Sequence, residues 1–188
     1  DKSRSAGGPL IDLGVHVIDL TRYLCGNPKP VSVYGVTFDK LKDRPGTKGA
    51  GGEYVSAEKS DHDIFDVEDF ASAMIRYDNG TVISVEAAFS LNMKEDVGKI
   101  ELFGTKAGAK LDPELEIYTD LNGYMTNVQL TTPTALSFNG LFENEIDHYV
   151  DCVQNGTPCK SPAEDGITLM EILDGIYESA RTGHEVIL

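Results

Sequence analysis

Strand-like segments joined by tight-turn residues run through the middle of the chain, and they narrow the fold more than any other feature. "VEDFASAMIRY" (67–77) and "TVISVEAAFSL" (81–91) are separated by Asp78-Asn79-Gly80, residues that tolerate positive φ in a hairpin turn. "GKIELFGT" (98–105) and "AKLD" (109–112) flank a second glycine-bearing turn, and "LEIYTD" (115–120) and "YMTNVQL" (124–130) flank Asn122-Gly123. Upstream, "VSVYGVTF" (31–38) is β-branched and roughly alternating, a further strand. Strands joined by such short turns pair antiparallel, so a βαβαβ parallel sheet is not supported.

Helical patterns bracket these strands. Residues 9–24 read as a helix, with Pro9 at its first position and Gly26 and Pro28 closing it. In 139–155, Phe142, Ile146, Tyr149 and Val153 recur at helical spacing, and Gly156 follows as a stop. In 161–182, Ser161, Pro162 and Glu164 spell a capping box, and Gly183 ends the segment. Runs of strands bounded by helices predict an α+β domain: an open, predominantly antiparallel sheet with helices packed on one face. "TVISVEAAFS" is apolar at nearly every position, which argues that both sheet faces are covered, the outer one by a second subunit. Residues 39–62 are rich in Gly, Lys and Asp and lack periodicity; a loop that long is usually functional or mobile.

Length and charge exclude several classes of function. The 188 residues suffice for one domain with a sizeable core. Sixteen basic against 31 acidic residues leave a net charge of −15, a field that repels nucleic acid and anionic lipid. No apolar run is long enough to span a bilayer, and no basic segment with a following apolar core marks a secretory leader. Cys25, Cys152 and Cys159 are odd in number and match no zinc spacing, so they read as buried free thiols in a reducing, cytoplasmic compartment. The two sequons, at Asn79 and Asn155, each precede a glycine and read as turn chemistry.

The stretch "GGPLIDLGVHVIDLTRYLCG" (7–26) concentrates the chemistry. Asp12, His16 and Asp19 fall on one helical face at spacings of four and three. Leu13, Val17, Leu20 and Leu24 form one apolar stripe, and Ile11, Val15 and Ile18 form another. A helix apolar on two sides is expected to be buried, so its polar stripe must face a cleft or a satisfied network. Gly14 in the helix interior costs about 1 kcal/mol against Ala, and it lets a neighbour or cofactor approach the backbone closely. A carboxylate one turn before an imidazole can hold one tautomer and stabilise the cation, leaving the other nitrogen to exchange a proton with a hydroxyl. As a bare spacing the pair is equally that of an inert, hydrogen-bonded core histidine.

Gly7, Gly8, Asp12, Gly14, His16 and Asp19 together resemble the substrate-domain signature of the Gfo/Idh/MocA oxidoreductases. The resemblance continues through "VEDFASAMIRYDNGTVISVEAAFS", "ELFGTKAGAKLD" and the closing helices, including the "EDG" that opens the last one. It implies a fold like the C-terminal domain of glyceraldehyde-3-phosphate dehydrogenase. It also implies that residues 1–188 are a single substrate-binding and oligomerisation domain, the dinucleotide-binding domain being absent from this chain. The implied activity is NAD- or NADP-dependent oxidation or reduction of a sugar, cyclitol (inositol among them) or related polyol. His16 would be the acid/base, Asp12 would orient it and bind substrate, and Asp19 would be a weaker candidate for substrate contact. The implied assembly is a homodimer or homotetramer formed through the sheet face. The family's E-K-P lysine has no counterpart, and "GTKGAGG" (46–52) lacks the strand-to-helix context of a phosphate cradle.

Two other readings compete. A noncatalytic ligand-binding or dimerisation module could retain this fold. A metal-dependent hydrolase could be built on Asp12, His16 and the Asp61-His62-Asp63 cluster, but it lacks a strong third convergent ligand. No metal is expected. The Asp61 cluster reads as a solvated loop end, His148 as a surface or interface residue, and Lys94-Glu95-Asp96 as a solvated turn.

Overall fold

Asn122 and Gly123 adopt φ of 55° and 83°, the two left-handed conformations that a type I′ hairpin requires. The computed structural model describes residues 1–41, 64–94, 97–111, 114–128, 130–131 and 139–188. Most of loop 39–62, including "GTKGAGG" and the Asp61 cluster, lies outside these residues, as do Glu95 and Asp96. In chain order the elements are α1 (Lys2–Ser5), a π-helical turn (Leu10–Gly14), α2 (Val15–Leu24), β1 (Pro30–Phe38), β2 (Phe70–Tyr77) and β3 (Val82–Ala88). There follow β4 (Ile100–Phe103), β5 (Ala107–Leu111), β6 (Leu115–Leu121), β7 (Tyr124–Val128), α3 (Leu141–Asn155), α4 (Ala163–Thr182) and β8 (Val186–Ile187). The fold is α+β, with two antiparallel four-stranded sheets.

The first compact unit comprises Asp1–Asn92 and Ala163–Leu188. Its sheet has the order β3-β2-β1-β8. Alternation sends Ala71, Ala73 and Ile75 of β2 and Ile83 and Val85 of β3 to one face. There they meet Leu10 and Ile18 from the first helical segment and Ile172, Leu173 and Ile176 of α4. Helix α4 seats closely on β1 because Gly35 has no side chain: a Cβ there would press on Ile176. The Gly35 N–H donates to Ser179 Oγ (2.9 Å), and that buried hydroxyl donates to the His184 carbonyl (2.6 Å).

Within the single chain the outer face of this sheet is open, the face that the sequence analysis expects a second subunit to cover. The register pairs Tyr34 with Met74, and Met74 with Ser84; Ser72 faces Glu86. Tyr34, Phe38, Met74 and Val82 are exposed on this outer face. The run "TVISVEAAFS" therefore alternates after all, since Ser84 and Glu86 share the outward side.

The second unit, Met93–Pro162, holds the meander β4-β5-β6-β7 and helix α3. Gly156 ends α3 with a left-handed φ of 69°, as its position in the sequence predicts. The apolar stripe Phe142, Ile146, Tyr149 and Val153 is exposed. Helical spacing identifies an apolar face but not the surface that will cover it. Helix α4 begins at Ala163, one residue after the expected start. No helix among the described residues is long and apolar enough to cross a membrane.

Candidate functional site

The site is built on the segment from Gly7 to Leu24, and both of its ends are fastened by buried charge. At the start, the Glu68 carboxylate accepts from the Gly8 N–H (3.1 Å), the Leu10 N–H (3.2 Å) and the Tyr177 hydroxyl (2.8 Å). Glu68 is only 8% exposed. Its charge lies where a helix start presents unpaired N–H groups and positive dipole, so it acts as a cap supplied from elsewhere in the chain. The glycine pair is explained by this arrangement: a Cβ on Gly8 would strike the Glu68 carbonyl, and one on Gly7 the Tyr177 hydroxyl. Burial raises the Tyr177 hydroxyl pKa well above the ordinary tyrosine value, and its hydrogen bond to Glu68 adds to the shift.

The other end is held by Arg22, itself buried. Its guanidinium donates to Asp165 Oδ1 (2.8 Å) and to the carbonyls of Pro28 (3.0 Å) and Asn27 (3.4 Å). Asp165, in the first turn of α4, thus ties α4 to the C-terminal end of α2. Thr21 and Arg22 are the buried polar residues of α2.

Between these anchors the helix opens with a π turn: the Val15 N–H reaches the Leu10 carbonyl, five residues back. Single π turns within helices are rare and frequently mark functional sites. Leu10, Gly14 and Ile18 face the sheet, whereas Asp12 and His16 are exposed and Asp19 is half-buried. Among the described residues neither Asp12 nor His16 has a side-chain hydrogen bond or ion pair, and both are exposed. The orienting bond expected between them is not formed in this state. A Cβ at Gly14 would lie 3.2 Å from Leu10 Cδ1 and only in ordinary contact, at 3.5 Å, with the Ala87 methyl.

The expectation of a helix buried on both apolar sides is corrected here. Leu13 (44% exposed) and Leu24 (41%) lie on the outward side with His16, whereas Ile18 is buried and Ile11, Val15 and Val17 pack partly buried against the core. The exposed side is a mixed surface of carboxylate, imidazole and leucine.

Glu68, Arg22, Asp165 and Tyr177 escape a reading by motif. The signal available was acidic Glu68 beside Val67, just before an apolar alternation, and the "EDG" at the start of the last helix. The three cysteines are free, as expected, but none is buried: Cys25 and Cys152 are half-buried and Cys159 is exposed. In the second unit His148, Cys152 and Cys159 bring their ligand atoms within 4.8 Å of one another. No dinucleotide cradle occurs among the described residues; the sheets are antiparallel, without a strand–turn–helix phosphate site.

A sequence profile of the oxidoreductase family C-terminal alpha/beta domain matches residues 1–188. D-glucoside 3-dehydrogenase of Escherichia coli (strain K12) is 32% identical over 188 residues, covering 99% of this chain and 50% of the relative. D-xylose 1-dehydrogenase (NADP(+)) 2 of Haloferax volcanii is 24% identical, covering 96% of this chain and 48% of its own length. A levoglucosan dehydrogenase solved with NADH and L-sorbose superposes with a TM-score of 0.78 at 25% identity, over 100% of this chain and 52% of that one. The chain spans about half the length of these relatives. With a match along its whole length and a sugar dehydrogenase among its relatives, the chain belongs to the Gfo/Idh/MocA oxidoreductase family, as its C-terminal α/β domain.

Proposed function

We propose that this chain is the substrate-binding and oligomer-forming part of an NAD(P)-dependent oxidoreductase acting on a sugar or related polyol. One observation carries the reading. Asp12 and His16 are exposed and unpaired on a π-distorted helix that Glu68 and the Arg22–Asp165 pair hold at either end. Side chains placed for packing would be covered; these are displayed on a fixed support.

In this mechanism His16 exchanges a proton with the substrate hydroxyl or carbonyl oxygen. Asp12 hydrogen-bonds a substrate hydroxyl and stabilises the imidazolium when it forms. Asp19, half-buried one turn further on, contributes at the edge of the site. When bound, a nicotinamide would supply the hydride chemistry, its binding falling mainly to a dinucleotide-binding domain outside this chain. The same reading covers the exposed outer face of the first sheet, at Tyr34, Phe38, Met74 and Val82, with a second subunit in a dimer or tetramer. It places the protein in the cytoplasm, supported by three cysteines that are all free.

The test assays the full-length protein for nicotinamide absorbance against a panel of sugars and cyclitols. Turnover of at least one of them, with the Asp12→Asn variant raising KM for that substrate, supports the reading. A protein that binds the sugars but turns over none would instead be a noncatalytic ligand-binding module.

A further inference from the structure

The second unit carries a constellation that the proposed activity does not use. His148 and Cys152 stand one helical turn apart on α3, with Cys152 Sγ 3.5 Å from His148 Nε2. The chain then turns back at Gly156, whose N–H donates to the Cys152 carbonyl (3.1 Å). Asp151 secures that turn by accepting from Asn155 Nδ2 (2.7 Å) and from Thr157. The returning segment delivers the Lys160 N–H to His148 Nε2 (3.0 Å), and Cys159 alongside it. Imidazole and both thiols thus converge on one point of the unit.

We propose that His148, Cys152 and Cys159 form a Zn²⁺ site. Two sulfur ligands and one imidazole suit a borderline-soft ion and disfavour Mg²⁺ or Ca²⁺. Zn–S bonds of about 2.3 Å and Zn–N bonds of about 2.0 Å at tetrahedral angles require a sulfur–nitrogen edge of about 3.5 Å. The observed Cys152–His148 distance of 3.5 Å is that edge. A sulfur–sulfur edge of about 3.8 Å follows from the same bond lengths, so with all three atoms within 4.8 Å the two edges that Cys159 makes need to close by no more than about 1.3 Å. Ligation releases the thiol protons of Cys152 and Cys159 to water, including the one that Cys159 now gives to the Ser161 carbonyl (3.3 Å). It also displaces the Lys160 N–H from the imidazole. Water takes the fourth position, on the exposed side of Cys159. The bound ion clips the C-terminal turn of α3 to the segment that leads towards α4.

The experiment is a titration of the reduced, metal-free, full-length protein with Zn²⁺ against a chromophoric chelator, repeated with Co²⁺. The expected result is one equivalent bound, with thiolate-to-cobalt charge-transfer absorption. Cys152→Ser and Cys159→Ser should each weaken binding by at least about 100-fold, more than loss of an outer-sphere partner usually costs. Cys25→Ser should leave it unchanged, and circular dichroism should show all variants folded. Zinc uptake equal to that of a Cys152→Ser/Cys159→Ser double variant overturns the proposal. So does a native Cys152–Cys159 disulfide whose reduction yields no zinc binding. None of these readouts depends on catalytic turnover, so the failure of one proposal is distinguishable from the failure of the other.

Discussion

Glu68 and Tyr177 stand 109 positions apart in the chain, yet the tyrosine hydroxyl donates to the Glu68 carboxylate at 2.8 Å. The same carboxylate holds the N–H groups of Gly8 and Leu10. One buried side chain therefore joins α4, the approach to β2 and the helix that displays Asp12 and His16. Glu68→Gln keeps the shape but turns a triple acceptor into a group that must point an NH₂ at a donor. Buried hydrogen bonds to charged groups are worth about 1.5–3 kcal/mol each, and the variant should lose stability in that range. Urea unfolding checks it: the midpoint should fall with the slope m unchanged.

The Arg22–Asp165 pair makes a second, independent prediction. Arg22 is nearly fully buried and its partner mostly so, so removing only one member strands a charge. Asp165→Asn and Arg22→Met should each destabilise by about 3 kcal/mol or more. The double variant should cost clearly less than the two single losses added together. Additive losses in this cycle would mean that the pair is not coupled.

Tyr77 links the core to pH. Its hydroxyl is buried and has no hydrogen-bond partner among the described residues, and burial pushes its pKa up to about 12, with nearby Arg22 opposing the shift. Tyr177 shifts in the same direction. A phenol whose folded pKa is raised stays protonated in the native state while the unfolded chain ionises near pH 10. The unfolded state then binds fewer protons, so stability is intact below about pH 10 and falls from there towards about pH 12. Tyr77→Phe should soften that decline. At neutral pH it should also gain about 1 kcal/mol by removing an unsatisfied buried hydroxyl. Urea midpoints measured from pH 7 to 11 for both proteins test the two effects together.

What was legible in the sequence was whatever is decided locally. Asn122-Gly123 and Gly156 announce their own turns because left-handed backbone costs them little, and the hairpins they shape make the α+β class readable. Asp12 and His16 were visible as a spacing. The support beneath them was not, because Gly7 and Gly8 are required by Glu68 and Tyr177, which only the folded chain brings near. Arg22 meets Asp165 across 143 positions. The π turn changes the helix period within a pattern that still looks helical. The thiol–imidazole cluster was hidden for a similar reason: Cys152 and Cys159 meet only because the chain reverses at Gly156. Periodicity names the apolar stripes of α2 and α3 correctly as stripes, but which surface covers each is a tertiary fact.

The central claim is that His16 moves a proton in catalysis, and the kinetics of His16→Ala in the full-length enzyme test it most directly. His16 is exposed and carries no packing load, so the variant should fold normally and bind its nicotinamide cofactor as before. Its kcat should fall by about 10²- to 10⁴-fold, the usual worth of a positioned acid or base. A folded variant with near-normal kcat would contradict the account.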